Sequence, residues 1–113
     1  MNKRSTGSCY ERKAAEYLIS CGCKILKTNY RCKAGEIDLI FRDGDYLVFA
    51  EVKYRKTAAS GYGSEAVDFR KQMRIRKSAI WYINEYHVSE DQPCRFDVIS
   101  YLEDEMTIIK DAF

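Results

Sequence analysis

Gly35-Glu36-Ile37-Asp38-Leu39-Ile40-Phe41-Arg42-Asp43-Gly44-Asp45-Tyr46-Leu47-Val48-Phe49-Ala50-Glu51-Val52-Lys53 is the stretch that decides the fold. Two β-rich runs flank Asp43-Gly44, and an Asp-Gly pair in that setting is a hairpin signal. On period-two strands Glu36 and Asp38 share one face while Ile37, Leu39 and Phe41 share the other. Glu51 and Lys53 likewise point the same way. Asp38 and Glu51 therefore sit inside the most apolar runs of the chain, where a desolvated charge is costly unless paired or bound to a metal. If the strands pair, Asp38, Glu51 and Lys53 meet. Two carboxylates beside an ammonium make a poor core but a sound site for a hard cation such as magnesium, which takes oxygen ligands and keeps several waters. A buried lysine–carboxylate bridge with a spare acid is the plainer alternative for the same trio.

Upstream, Tyr10, Ala14, Tyr17, Leu18 and Cys21 recur at helical spacing, and Gly22 supplies a stop, so the sequence predicts a helix over Tyr10–Cys21. Glu11 lies beside its core-facing stripe and adds a third inward carboxylate. Cys23–Arg31 suits a short edge strand. Downstream, Arg55–Gly63 has no periodicity and carries two glycines, which predicts a loop able to close over a substrate. Ser64 is the expected cap of a second helix with Glu65 in its first turn, and Ile75, Ala79, Tyr82, Ile83 and Tyr86 form its stripe. This is expected to be the longest helix. Projected backwards, the stripe reaches Lys71, with Asp68 and Gln72 adjacent, so the first turns of this helix are also placed to meet the acids. A turn at Asp91-Gln92-Pro93 leads into strands Arg95–Leu102 and Met106–Ile109, joined by Glu103-Asp104-Glu105. The order is α-β-β-β-α-β-β in an α/β fold.

With 113 residues and 46% apolar content, the chain is sized for a single domain over residues 1–113. Residues 1–56 hold 12 Lys/Arg against 7 Asp/Glu, and residues 57–113 hold 7 against 10, so the net charge of +2 hides a basic half and an acidic half. Arg70, Lys71, Arg74, Arg76 and Lys77 crowd into eight positions, a density that suits phosphate contact and equally suits a solvated helix face. The polar opening residues are followed by no apolar segment and no run is long enough to span a bilayer, which points to a cytoplasmic protein without a membrane association. Five cysteines are then expected as reduced thiols. Cys21-Gly-Cys23 lacks the usual spacer and a matching second pair for zinc, so these two are expected as small buried hydrophobes. The lone histidine, His87, falls beyond the second helix's stripe and is expected at the surface. No nucleophile elbow or glycine-rich phosphate loop is present, which argues against nucleophilic enzymes and against an organic cofactor.

The acid followed by Glu51-x-Lys53 resembles the PD-(D/E)xK nuclease superfamily. The longer string is more specific: Gly35-Glu36-Ile37-Asp38-Leu39-Ile40, Phe49-Ala50-Glu51-Val52-Lys53-Tyr54-Arg55 and Arg95-Phe96-Asp97-Val98 resemble the bacterial YraN-like family of endonuclease-like proteins, from Gly7 to about Val98. In size and element order the chain is also similar to archaeal Holliday-junction resolvases. The resemblance implies a restriction-endonuclease-like core, a mixed sheet flanked by helices. It implies that Glu11, Asp38 and Glu51 hold Mg2+, with Mn2+ as a substitute, and that Lys53 orients or activates the attacking water. The implied substrate is DNA, in a branched or otherwise unusual structure, held by Arg55, Lys56, Arg70, Lys71 and Arg74; a homodimer is the weaker expectation. Two positions depart from the family pattern: Tyr10 replaces a glycine and Ala50 a valine. Glu36 is either an acid supporting Asp38 or an exposed strand start, and Asp97 either supports the site or simply pairs with Arg95. A nuclease-fold protein that binds DNA or a repair partner and cuts little is the rival expectation.

Overall fold

The computed structural model describes residues 3–55 and 68–113, with side chains in the first helix described from Cys9 onward. The elements run α1 (Lys3–Ser20), β1 (Lys24–Cys32), β2 (Gly35–Asp43), β3 (Tyr46–Arg55), α2 (Phe69–Glu85), β4 (Cys94–Leu102) and β5 (Glu105–Ile109). They follow the predicted order, in one sheet arranged β1-β2-β3-β4-β5. Only β3 and β4, joined through α2, pair in parallel; the other neighbours are antiparallel, so the sheet is mixed. β1 is an edge strand, as its mixed polarity implies.

The two helices cover opposite faces. Ala14 and Leu18 of α1 pack on Leu39, Phe41, Val48, Ala50, Ile99 and Tyr101. Ile75, Ala79 and Tyr82 of α2 pack on Tyr30, Ile37, Ile40, Leu47, Phe49 and Val98. Buried from both sides, β3 needs the near-continuous apolar run Leu47–Ala50 rather than alternation. Among the described residues no helix is long and apolar enough to cross a membrane.

Several expectations are corrected. α1 begins at Lys3, well before Tyr10, because its polar first turns give no apolar stripe to read, and at 18 residues it slightly exceeds the 17 of α2. α2 is capped by Asp68, whose side chain accepts the Lys71 N–H at 2.9 Å. The expected cap Ser64, with Glu65, lies outside the described residues, as do Lys56 and the loop through Gly63. Arg55 is the last residue of β3 and not part of a loop. No cysteine is fully buried: Cys23 and Cys32 are half-buried, and Cys9, Cys21 and Cys94 are exposed. His87 is exposed just past α2, as expected.

The more consequential correction concerns faces. Ile37 packs toward α2, whereas Leu39 and Phe41 pack toward α1, so the strict alternation of β2 breaks at Asp38. Asn29 of β1, opposite this point, has φ +51°, a left-handed conformation that asparagine tolerates better than most residues. The β2–β3 ladder ends at Leu39–Ala50, while β2 goes on pairing with β1 through Ile37, Glu36 and Gly35. The sheet thus opens between Asp38 and Glu51.

Candidate metal and catalytic centre

Four of the sequence-predicted residues gather around that opening. Asp38 Oδ2 accepts the backbone N–H of Val52 at 2.8 Å, so a carboxylate satisfies the donor that the ended ladder leaves. Glu51 is buried and faces α2, because Leu47, Phe49, Glu51 and Lys53 alternate on one side of β3. Glu11 enters from α1, one turn before the fully buried Ala14.

These acids feel one another. Burial, followed by the Glu51 charge, pushes the Asp38 carboxyl up to about 7, against the Val52 hydrogen bond; Glu11 adds to the rise and Lys71 opposes it. Glu11 is also raised, first by burial and then by the charges of Glu36 and Glu51, with a hydrogen bond from Asn29 working the other way. Burial and the neighbouring Arg55 charge lower the Lys53 ammonium, Glu51 opposes that, and Lys71 adds to it.

The donor chemistry fits a hard divalent cation. Glu11 Oε1 is buried with no hydrogen-bond partner, an atom that lacks the positive or donor group its environment calls for. Three carboxylates line the sheet opening, and the repulsion that raises Asp38 and Glu11 is what a cation relieves. The donors are not drawn together in this conformation: among the described residues no three carboxylates, imidazoles or thiols stand close enough to hold an ion. Instead Lys71 Nζ lies 3.1 Å from Glu51 Oε1.

Lys71, expected both as a nucleic-acid contact and within reach of the acids, has its ammonium turned onto the acid group. Arg70 and Arg74, in the same turns of α2, are exposed. Glu36 is exposed and sits 3.4 Å from its cross-strand partner Arg31, so it reaches the centre only through its field on Glu11. Asp97 does not belong to the centre. It lies opposite Ala50 and lines the α1 side with Leu18 and Phe41, whereas Glu51 faces α2. Its carboxylate takes two 2.9 Å hydrogen bonds from Arg95, one to each oxygen, and also accepts the Asp111 N–H. Arg95 in turn bridges to Asp43 at 2.9 Å. The predicted pairing of Arg95 with Asp97 is what the structure contains.

Sequence reasoning missed Asn29, whose backbone is left-handed opposite Asp38 and whose side chain contacts Glu11. The signal was a Thr28-Asn29 step inside a strand, where asparagine is depleted. It also missed the role of Tyr10. In place of a glycine, its ring stacks on Tyr54 at 4.2 Å and tilts against Tyr101 at 4.9 Å, fastening α1 to β3 and β4 next to Glu11. A cleft of about 280 Å³ lined by Glu11, Arg12, Ala15, Thr28 and Asn29 opens beside it.

Fold and site together define an α/β protein with helices on both faces of a mixed sheet and an acid cluster at the sheet's opening. A family model described as "Uncharacterised protein family UPF0102" matches residues 10–101, which contain every residue of that cluster. The chain belongs to this family. It is 46% identical to a UPF0102 protein of Lachnoclostridium phytofermentans, with all of this chain and 96% of the relative covered. The UPF0102 protein of Fusobacterium nucleatum is 49% identical over 97% of this chain and 92% of its own length. One from Caldicellulosiruptor bescii is 42% identical with both chains fully covered.

Proposed function

We propose that this protein is a divalent-metal-dependent endonuclease that hydrolyses phosphodiester bonds in DNA, in branched or otherwise unusual structures. The observation that carries the reading is Glu11 Oε1, buried without a partner in the group of acids beside Lys53, where burial and the Glu51 charge raise both Glu11 and Asp38. Asp38, Glu51 and Glu11 would hold the ion, Mg2+ or Mn2+. When bound, it supplies charge stabilisation to the developing phosphoryl oxyanion and lowers the pKa of a coordinated water.

The chain's own groups do the rest. Asp38 is held in place by the Val52 N–H, so its carboxylate stays aimed at the sheet opening. Lys53, with its ammonium destabilised by burial and by Arg55, gives up a proton more readily than an exposed lysine and orients the attacking water by hydrogen bonding. Arg70 and Arg74, exposed on the turns of α2 nearest the acids, hold flanking phosphates.

A second reading, a nuclease-fold protein that binds DNA and cuts little, is favoured by one observation: Lys71 already neutralises Glu51. Incubating the protein with branched, flap, single-stranded and duplex DNAs, with Mg2+, with Mn2+ and with chelator, separates the two. Metal-dependent cleavage of any substrate supports hydrolysis. Salt-dependent binding of the same DNAs without cleavage supports the binder.

A further inference from the structure

Lys71 stands at the N-terminal end of the stripe that Ile75, Ser78, Ala79 and Tyr82 bury, so the packing of α2 carries its side chain inward over the acids. Its backbone is pinned, because the Lys71 N–H is the group that Asp68 caps. Its side chain is not. The Lys71 side chain keeps 43% of its surface exposed, against 11% for the Glu51 side chain it meets. A flexible four-carbon stem thus reaches from water onto a buried carboxylate oxygen, a contact made and broken without moving the helix. The stripe and the cap fix where the ammonium can swing.

We propose that Lys71 is a built-in counter-ion that a divalent cation must displace from Glu51, and that the displaced ammonium then faces the phosphate that the cation binds. An ammonium and a divalent ion cannot both sit against one carboxylate oxygen at contact distance, since their repulsion there is large in a partly desolvated site. With no cation, the Lys71 ammonium lowers the repulsion among Glu51, Asp38 and Glu11 and keeps the acids of the empty centre tolerable. With the cation in place, the freed Lys71 no longer neutralises Glu51 and sits at the same opening, where an anionic backbone is the complementary ligand. Cation and nucleic acid therefore bind with positive coupling through one side chain. This displacement rests on the proposed metal centre.

The test is calorimetric titration of Mn2+ alone into wild-type protein and into Lys71→Met, Lys71→Arg and Lys77→Met, at about pH 8.5 so that the carboxylates are ionised. Lys77 is an exposed residue of the same helix and removes the same charge away from the acids. Circular dichroism melts establish that each variant is folded. Displacement predicts that Lys71→Met binds Mn2+ about tenfold more tightly than wild type, the equivalent of losing one weak, partly buried ion-pair competitor. It also predicts that Lys71→Arg stays near wild type, and that Lys77→Met changes affinity less than about twofold, as expected for a solvent-screened charge. A Lys71→Met affinity equal to or weaker than wild type, or a Lys77→Met gain as large as that of Lys71→Met, overturns the displacement. Absence of Mn2+ binding by wild type and Lys71→Met alike removes the metal centre itself and the inference with it.

Discussion

Asp38 Oδ2 takes the Val52 backbone N–H at 2.8 Å across the gap where β2 and β3 stop pairing, so a side chain completes the hydrogen bonding of an interrupted sheet. The same carboxyl is raised to about 7, by burial first and by Glu51 second. Its pKa is higher folded than unfolded, so the folded state holds this proton more tightly. This contribution to stability is therefore full below about pH 4 and is lost as pH rises through about 7, by about 4 kcal/mol for a mostly buried acid. In chelator, thermal melts are expected to show this decline, and Asp38→Asn, which keeps an acceptor for Val52, is expected to remove most of it, leaving the smaller part that comes from Glu11. At about pH 8.5 the variant's Tm rises by about 10–20 °C and no longer responds to Mn2+. A pH profile shared by wild type and Asp38→Asn contradicts the assignment.

Lys53 faces the same side of β3 as Glu51 and is lowered by burial and by Arg55. Lys53→Met is expected to reduce the cleavage rate by about 100-fold or more, the range for loss of a positioned proton-transfer group, while Mn2+ affinity does not weaken. Single-turnover cleavage and calorimetry on the same preparation check it. Parallel loss of rate and of cation affinity would instead make Lys53 part of the ion's environment.

Asp97 is 1% exposed and engaged at both oxygens by Arg95. Asp97→Ala leaves the Arg95 guanidinium, itself largely buried, with half its partners, and breaking such a pair costs about 3–5 kcal/mol. Urea unfolding is expected to show that loss with an unchanged slope. Under conditions where the variant remains folded, its Mn2+ affinity matches wild type, because Asp97 lies on the opposite face of the sheet from Glu51.

Arg70 and Arg74 are exposed near the start of α2. Changing both to Ala is expected to weaken DNA binding for every sequence alike and to lower the salt slope of log affinity by about 2, one per phosphate lost. Fluorescence anisotropy across a salt series reads it. An unchanged slope places the phosphate contacts elsewhere.

The acid positions were legible because Asp38 and Glu51 break apolar runs, and the hairpin because Asp43-Gly44 marks a turn. The Ile75-Ala79-Tyr82 stripe gave α2 its buried side and carried Lys71 toward the acids. Composition does not record backbone events. The left-handed Asn29, the end of the β2–β3 ladder and the resulting switch of Ile37 to the α2 face leave no pattern of period two. Lys71 with Glu51 is a contact between elements 20 positions apart in sequence, and a basic cluster looks the same whether one member turns inward or not. Tyr10 read as a departure from a glycine; its stack on Tyr54 exists only once α1 lies across β3.

Glu51→Gln separates carboxylates that serve hydrolysis from carboxylates that serve structure at the sheet opening. The variant and wild type are compared for DNA binding by anisotropy and for cleavage of the best-cut substrate in Mg2+ or Mn2+. Metal-dependent hydrolysis requires wild-type cleavage that chelator abolishes, and a Glu51→Gln protein that is folded, binds DNA at least as tightly and does not cut. Undiminished cleavage by Glu51→Gln, or joint loss of folding and binding in that variant, would contradict it.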